Sequence, residues 1–112
     1  MRIAIPVADD KLATHFGHCE SFALIDIELE ERLLLDRKDV AAPPHEPGLL
    51  PCWLAEQGVE MIIAGGMGQR AKDLFVKSGI TVYTGAAVAA PELLVQNFMT
   101  GSLSLGANLC DH

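Results

Sequence analysis

Aromatic side chains are scarce in this chain: four Phe, one Tyr and one Trp among 112 residues. Half of the residues are apolar, so the core has to be built from Ile, Leu, Val, Ala and Met. Basic charge is short as well, with eight Lys and Arg against fifteen Asp and Glu and a net charge of −7. The eight are scattered, which leaves no basic face for a phosphate backbone and argues against nucleic acid as a partner. The same deficit disfavours an anionic membrane surface. No apolar run approaches the roughly 20 residues of a membrane span. The opening Met1-Arg2-Ile3-Ala4-Ile5-Pro6-Val7 is too short and too strand-like for a signal peptide, so a cytoplasmic protein is expected. Also missing is any Cys-x-x-Cys pair, the three cysteines being Cys19, Cys52 and Cys110. That argues against a structural Cys₄ zinc site. Three thiols also fall short of the usual four that hold a permanent iron–sulfur cluster. In a reducing compartment they stay free and available as ligands.

What is present is a concentration of soft donors. The stretch His15-Phe16-Gly17-His18-Cys19 holds three of the chain's seven His and Cys residues, where random scatter would place fewer than one. Imidazole and thiolate are the ligands that soft and borderline metals prefer. His15 and His18 are three apart, so in a turn both can face one ion. Cys110 and His112 close the chain with the spacing of side chains on the same side of an extended segment. His45 lies in a stiff Pro/Gly loop and reads either as a ligand or gate or as a surface residue. Cys52 is expected near a helix N-terminus, where the dipole lowers a thiol's pKa, and points away from the middle of that helix's apolar face; an inert, partly buried thiol is the simpler reading. Gly65-Gly66-Met67-Gly68 precedes a predicted helix, and its backbone N–H groups could hold an anion, the sulfides of a cluster included. No Gly-Lys-Ser/Thr follows, so it is not a P-loop. A plain chain-reversing turn would explain some of these glycines, and Met67 would line the mouth as a soft contact.

Hydrophobic patterning predicts strands at 2–7, 21–28 and 33–39, then a helix at 49–57, a strand at 59–64, a helix at 69–78, a strand at 80–83 and a helix at 90–100. Residues 8–19 read as one long polar loop and 40–48 as a proline-rich loop. Pro51 fits the first turn of its helix, and Gly58, Gly79 and Gly101 fit as helix stops. The first three strands form an antiparallel meander, and the later β-α-β units need right-handed crossovers. Residues 1–101 therefore read as one α/β domain with helices on both faces of a five-stranded mixed sheet. Residues 102–112 are a tail. The loops carrying His15, His45 and Gly65–Gly68 leave the same sheet edge, the carboxyl end where open α/β sheets bind ligands.

The sequence resembles the dinitrogenase iron–molybdenum cofactor biosynthesis family, the NifX/NafY-like domain also appended to NifB. The resemblance is carried by Ile3-Ala4-Ile5-Pro6-Val7, by His15-Phe16-Gly17-His18-Cys19, by Val59 through Gly68, by Ala71 and by Gly79-Ile80-Thr81-Val82-Tyr83. It implies a ribonuclease-H-like three-layer α/β/α fold with sheet order 3-2-1-4-5 and strand 2 antiparallel. It also implies non-catalytic binding, storage or transfer of a loosely held metal–sulfur cluster during metallocofactor assembly. The cargo would be iron–sulfur, molybdenum–iron or, as in a small stand-alone orange protein of the family, molybdenum–copper sulfide. His15 would take the role of the family's cluster-binding histidine. Metallocluster donor and acceptor proteins are the implied partners, with the chain itself a monomer or weak homodimer.

Three enzymatic or redox alternatives stand beside this reading. A two-metal nuclease needs carboxylates converging on ions about 4 Å apart, and only Asp9, Asp10 and Glu46 lie near the expected edge. A zinc hydrolase would use the His/Cys set. A thiol redox sensor would need Cys19 close to Cys52 or Cys110.

Overall fold

In a computed structural model, the described residues are 1–14, 16, 19–43, 49–103 and 105. The chain opens with strand β1, Arg2–Ala8, whose Ile3, Ala4 and Ile5 are fully buried. It reverses at Asp9-Asp10 into a two-residue strand β2, Lys11–Leu12, with Val7 opposite Leu12 and Ala8 opposite Lys11. Both aspartates take positive φ, 54° and 63°, as a type I′ hairpin turn requires. Six strands are thus described where five were expected, and the long polar loop begins only after Leu12. The hairpin escapes a sequence reading because Asp-Asp is a poorer I′ signal than Asn-Gly or Asp-Gly.

Strand β3, Ser21–Glu28, and strand β4, Leu33–Ala41, complete the meander. Then follow helix α1, Leu49–Glu56, strand β5, Met61–Ile63, helix α2, Gln69–Lys77, strand β6, Thr81–Tyr83, and helix α3, Pro91–Met99. The sheet order is β4-β3-β1-β5-β6, with β2 attached to β1 outside that path. β3 runs antiparallel to both β1 and β4, while β1, β5 and β6 are parallel. With β2 set aside, this is the expected order. Among the described residues no helix is long and apolar enough to cross a membrane.

Each sheet face buries its own core. Ala4, Phe22, Leu24 and Ile62 pack under α1 and α2, against Leu50, Leu54 and Phe75. Ile3, Ile5, Ala23, Ile25 and Ile63 pack under α3, against Leu94, Val95 and Met99. The alternation along each strand produces this division, since successive side chains point to opposite faces. Pro51 is buried in the first turn of α1, while Cys52 is exposed rather than partly buried, because it faces away from the apolar side of the helix. Gly58 and Gly79 stop their helices with φ near +80°, a conformation that favours glycine.

β4 lies at a sheet edge. A register shift opposite Asp26 and Ile27 keeps Leu34 against the core and leaves Leu35 outside. Charges Asp36, Arg37, Lys38 and Asp39 follow along this edge. A bulge and charged side chains are the usual defence of an unpaired edge against adding another strand.

Candidate functional site: a clasped loop at the sheet mouth

The site is built where β1 and β5 end. Beyond Leu12 the chain crosses the mouth of the sheet, and main-chain hydrogen bonds hold it there. The Gly66 N–H donates to the Thr14 carbonyl and the Phe16 N–H donates to the Gly66 carbonyl, each at 2.9 Å. On the other side of the same segment, the Gly85 N–H donates to the Gly65 carbonyl at 2.7 Å and the Ala86 N–H to the Ala64 carbonyl at 3.1 Å. Residues 64–66 are therefore gripped from both sides, as a short extension of the sheet past β5. The contact with Thr14 is so close that a Cβ on Gly65 would stand 2.9 Å from the Thr14 carbonyl oxygen and 3.3 Å from that of Ala13. Real Cβ atoms do not approach backbone so closely, which accounts for the glycine.

A side chain reinforces the clasp. Phe16 is buried, its ring edge-on to Phe75 at 5.5 Å between centroids and tilted against Phe22 at 6.0 Å. Such pairs add about 0.5–1.5 kcal/mol each beyond area burial. Phe16 thus ties the chain at the mouth into the core below. Sequence reasoning treated it as part of a motif and missed the anchor; the scarcity of aromatics was the available signal.

Cys19 is half-buried against the Phe22 core and free, with its N–H directed to the Phe16 carbonyl at 3.4 Å. Burial pushes its thiol pKa up to about 11, partly offset by a backbone hydrogen bond. At neutral pH it is a thiol, so a soft metal would have to displace the proton to gain a thiolate ligand.

The structure divides the expected residues. Gly66 meets Thr14 and Phe16 at the mouth with Gly65 pressed against Thr14, and Cys19 packs against the same core as Phe16. The Gly66 N–H is already committed to Thr14, so the loop clasp takes the donor that had been offered to an anion. Met67 is 1% exposed and packs in the core with Phe16 and Phe75 rather than lining the mouth. Gly68 is the N-cap of α2. His15, His18, His45, Cys110 and His112 lie outside the described residues. Among the described residues no three His, Cys, Asp or Glu side chains form a group that could hold a metal. A two-metal carboxylate centre is accordingly not found among them, and no disulfide joins Cys19 to Cys52. The foot of the tail folds back: Ser102 and Leu103 N–H groups both donate to the Asn97 carbonyl, and Leu105 forms an antiparallel bridge with Ala86.

This combination of sheet order and mouth loops has relatives. The model of the dinitrogenase iron–molybdenum cofactor family matches residues 1–101. The chain belongs to that family. Among its relatives, an uncharacterised Methanocaldococcus jannaschii protein is 29% identical over 109 residues, covering 92% of this chain and 89% of that one. The crystal structure of PH0822 superposes with a TM-score of 0.87 at 31% identity over 96% of each chain. The apo form of the orange protein from Desulfovibrio gigas superposes with a TM-score of 0.72, covering 96% of this chain and 93% of that one. Its identity is 22%, so that likeness speaks to the fold alone. Membership in the iron–molybdenum cofactor family gives the chain a cofactor-related role, and the hydrolase and redox-sensor readings are not favoured.

Proposed function

We propose that this protein binds, stores or passes on a metal–sulfur cluster during metallocofactor assembly, without chemical turnover. The observation that carries the reading is the clasp: Thr14 and Phe16, at the start of the stretch with the densest soft donors, are held by the Gly66 backbone, and Phe16 is anchored in the core. A binding loop held by its backbone leaves its side chains free for cargo. In this reading His15 is the leading ligand, with His18 and Cys19 beside it and Cys110 and His112 offered by the tail. His45 acts as a further ligand or gate. Gly65 and Gly66 seat the loop, Met67 fills the core beneath it, and Gly68 opens α2.

The cargo is an iron–sulfur, molybdenum–iron or molybdenum–copper sulfide cluster, loosely held and readily lost on purification. A few mixed His/Cys donors suit transfer better than permanent tenure. Metallocluster donor and acceptor proteins are the partners, the compartment is the cytoplasm, and the scaffold is of the ribonuclease-H type. Residues 1–101 form the binding domain and 102–112 its tail.

Anaerobic purification from metal- and sulfide-replete cells, with metal and acid-labile sulfide analysis on one sample, tests the reading. Iron or molybdenum together with sulfide and a visible charge-transfer band is expected. His15→Ala should remove most of the bound cluster with little change in unfolding midpoint. Zinc without sulfide, or full loading of the His15→Ala protein, would overturn the assignment.

A further inference from the structure

The two edges of the sheet are unlike. β4 carries a register shift and a run of charges, whereas β6 is the short segment Thr81-Val82-Tyr83, with no charge of its own. The Thr81 N–H donates to the Glu60 carbonyl, and the Tyr83 carbonyl accepts from the Ala64 N–H. Both residues thus face β5. Backbone directions alternate along a strand, so the N–H and C=O of Val82 point away from the sheet. An outward donor and acceptor on an uncharged edge suit the addition of another strand. Beside this edge an open groove of about 490 Å³ runs between β6 and α2. Val76, Ile80 and Val82 give it an apolar wall, and Gln69, Lys72 and Asp73 of α2 a polar one. Val76 is 65% exposed, and a Cβ on Gly79 would meet nothing within 4 Å.

The chain itself brings a strand to this edge. Leu105 forms an antiparallel bridge with Ala86, three residues past the end of β6. A segment that keeps this direction runs back along β6. Four residues lead from Ala86 back to Val82, and four lead from Leu105 on to Leu109. With the bend at Gly85, whose φ is 86°, the two come level to within one residue. Leu109 is the one large apolar side chain in 106–112, and residues 93–110 carry no charge, so no buried charge opposes its seating beside Val76 and Val82. We propose that residues 106–110 add to β6 as a further antiparallel strand, with Leu109 covering the groove. Cys110 then lies beside Thr81, at the end of β6 away from the mouth. The tail has to lift from β6 before Cys110 and His112 can join the donors of the 15–19 stretch. That last consequence rests on the cluster reading; the docking itself does not.

Amide hydrogen exchange of the metal-free full chain, followed residue by residue by NMR, reads the outcome. The Val82 N–H should exchange at least tenfold more slowly in the wild type than in Leu109→Asp and Leu109→Lys. The Ile62 amide, inside the sheet, should keep its rate in both variants, which shows that the fold is intact. Cross-strand nuclear Overhauser contacts from Val82 to residues 107–110 should accompany the protection. A Val82 amide that exchanges as fast in the wild type as in the variants overturns the proposal. So does protection that grows with protein concentration, which would put a second copy on the edge. An effect from only one of the two charges would make the contact ionic and overturn the burial of Leu109. With no cluster present in the sample, failure here leaves the cargo reading intact, and failure of cluster loading leaves this result standing.

Discussion

Under α1 and α2 the core holds Phe16, Phe22, Trp53 and Phe75 in ring-to-ring contact. Under α3 it is aliphatic, with Tyr83 and Phe98 meeting only at its margin. Both faces bury their core side chains almost completely, so the difference is not one of how complete the burial is. It lies in what each face supports. The aromatic face reaches up through Phe16 to the loop at the mouth, whereas the aliphatic face closes over the sheet beneath α3. Stiff rings with few rotamers suit the positioning of a loop, and branched aliphatic side chains suit dense filling. A chain with six aromatic residues has placed four of them where a loop needs an anchor.

This contrast is open to direct attack. The largest effect is expected from Phe75→Ala, which should cost about 3–5 kcal/mol in urea unfolding. Leu94→Ala on the aliphatic face should fall in the overlapping range of about 2–5 kcal/mol. The two should separate in native-state hydrogen exchange of the Phe16 and Gly66 amides. Phe75→Ala should expose them beyond the loss in global stability, and Leu94→Ala only in proportion to it. Equal exposure in the two variants would erase the distinction between the faces.

A smaller effect should come from Gly65→Ala, whose Cβ would press on the Thr14 carbonyl. Overpacking of this kind costs about 1–3 kcal/mol, and here the added atom would loosen the clasp. Gly79→Ala has no neighbour within 4 Å and only its φ of +81° to oppose it, so about 1 kcal/mol is expected. Cluster loading should fall in Gly65→Ala and hold in Gly79→Ala, each measured by sulfide per chain after reconstitution. Equal loading would mean that the clasp does not position the donors.

The smallest effect lies at the opposite end of the sheet. The Arg2 guanidinium meets Asp26 at 2.7 and 3.1 Å and also donates to the Gln57 carbonyl. Its hydrogen bond holds the Asp26 carboxyl below the usual carboxylate range. The folded value is the lower one, so this pair stabilises the protein above the unfolded carboxyl's pKa of about 3.9. That stabilisation is lost as pH falls through the depressed value. Asp26→Asn should cost at most about 1 kcal/mol at neutral pH, as partly exposed pairs do. The gap to wild type should close below pH 4. A gap that persists into acid would assign the effect to packing.

The strand and helix order, the helix stops at Gly58 and Gly79, and the outward-facing Cys52 were all legible in the amino-acid sequence. They follow from local periodicity and backbone preference, which neighbours in sequence set by themselves. The Asp9-Asp10 reversal was not legible, because two L-residues at positive φ are held there by the β1–β2 pairing rather than by local preference. At the mouth, the sequence by itself marked the His15–Cys19 stretch and the Gly65-Gly66 pair as belonging together. Only the tertiary structure decided how they meet. Thr14 closes on Gly66 at the one place where a side chain on Gly65 would collide with it, and Met67 turns into the core instead of toward the mouth. Those outcomes depend on contacts between segments some fifty residues apart, and close packing admits one arrangement where sequence patterning admits several.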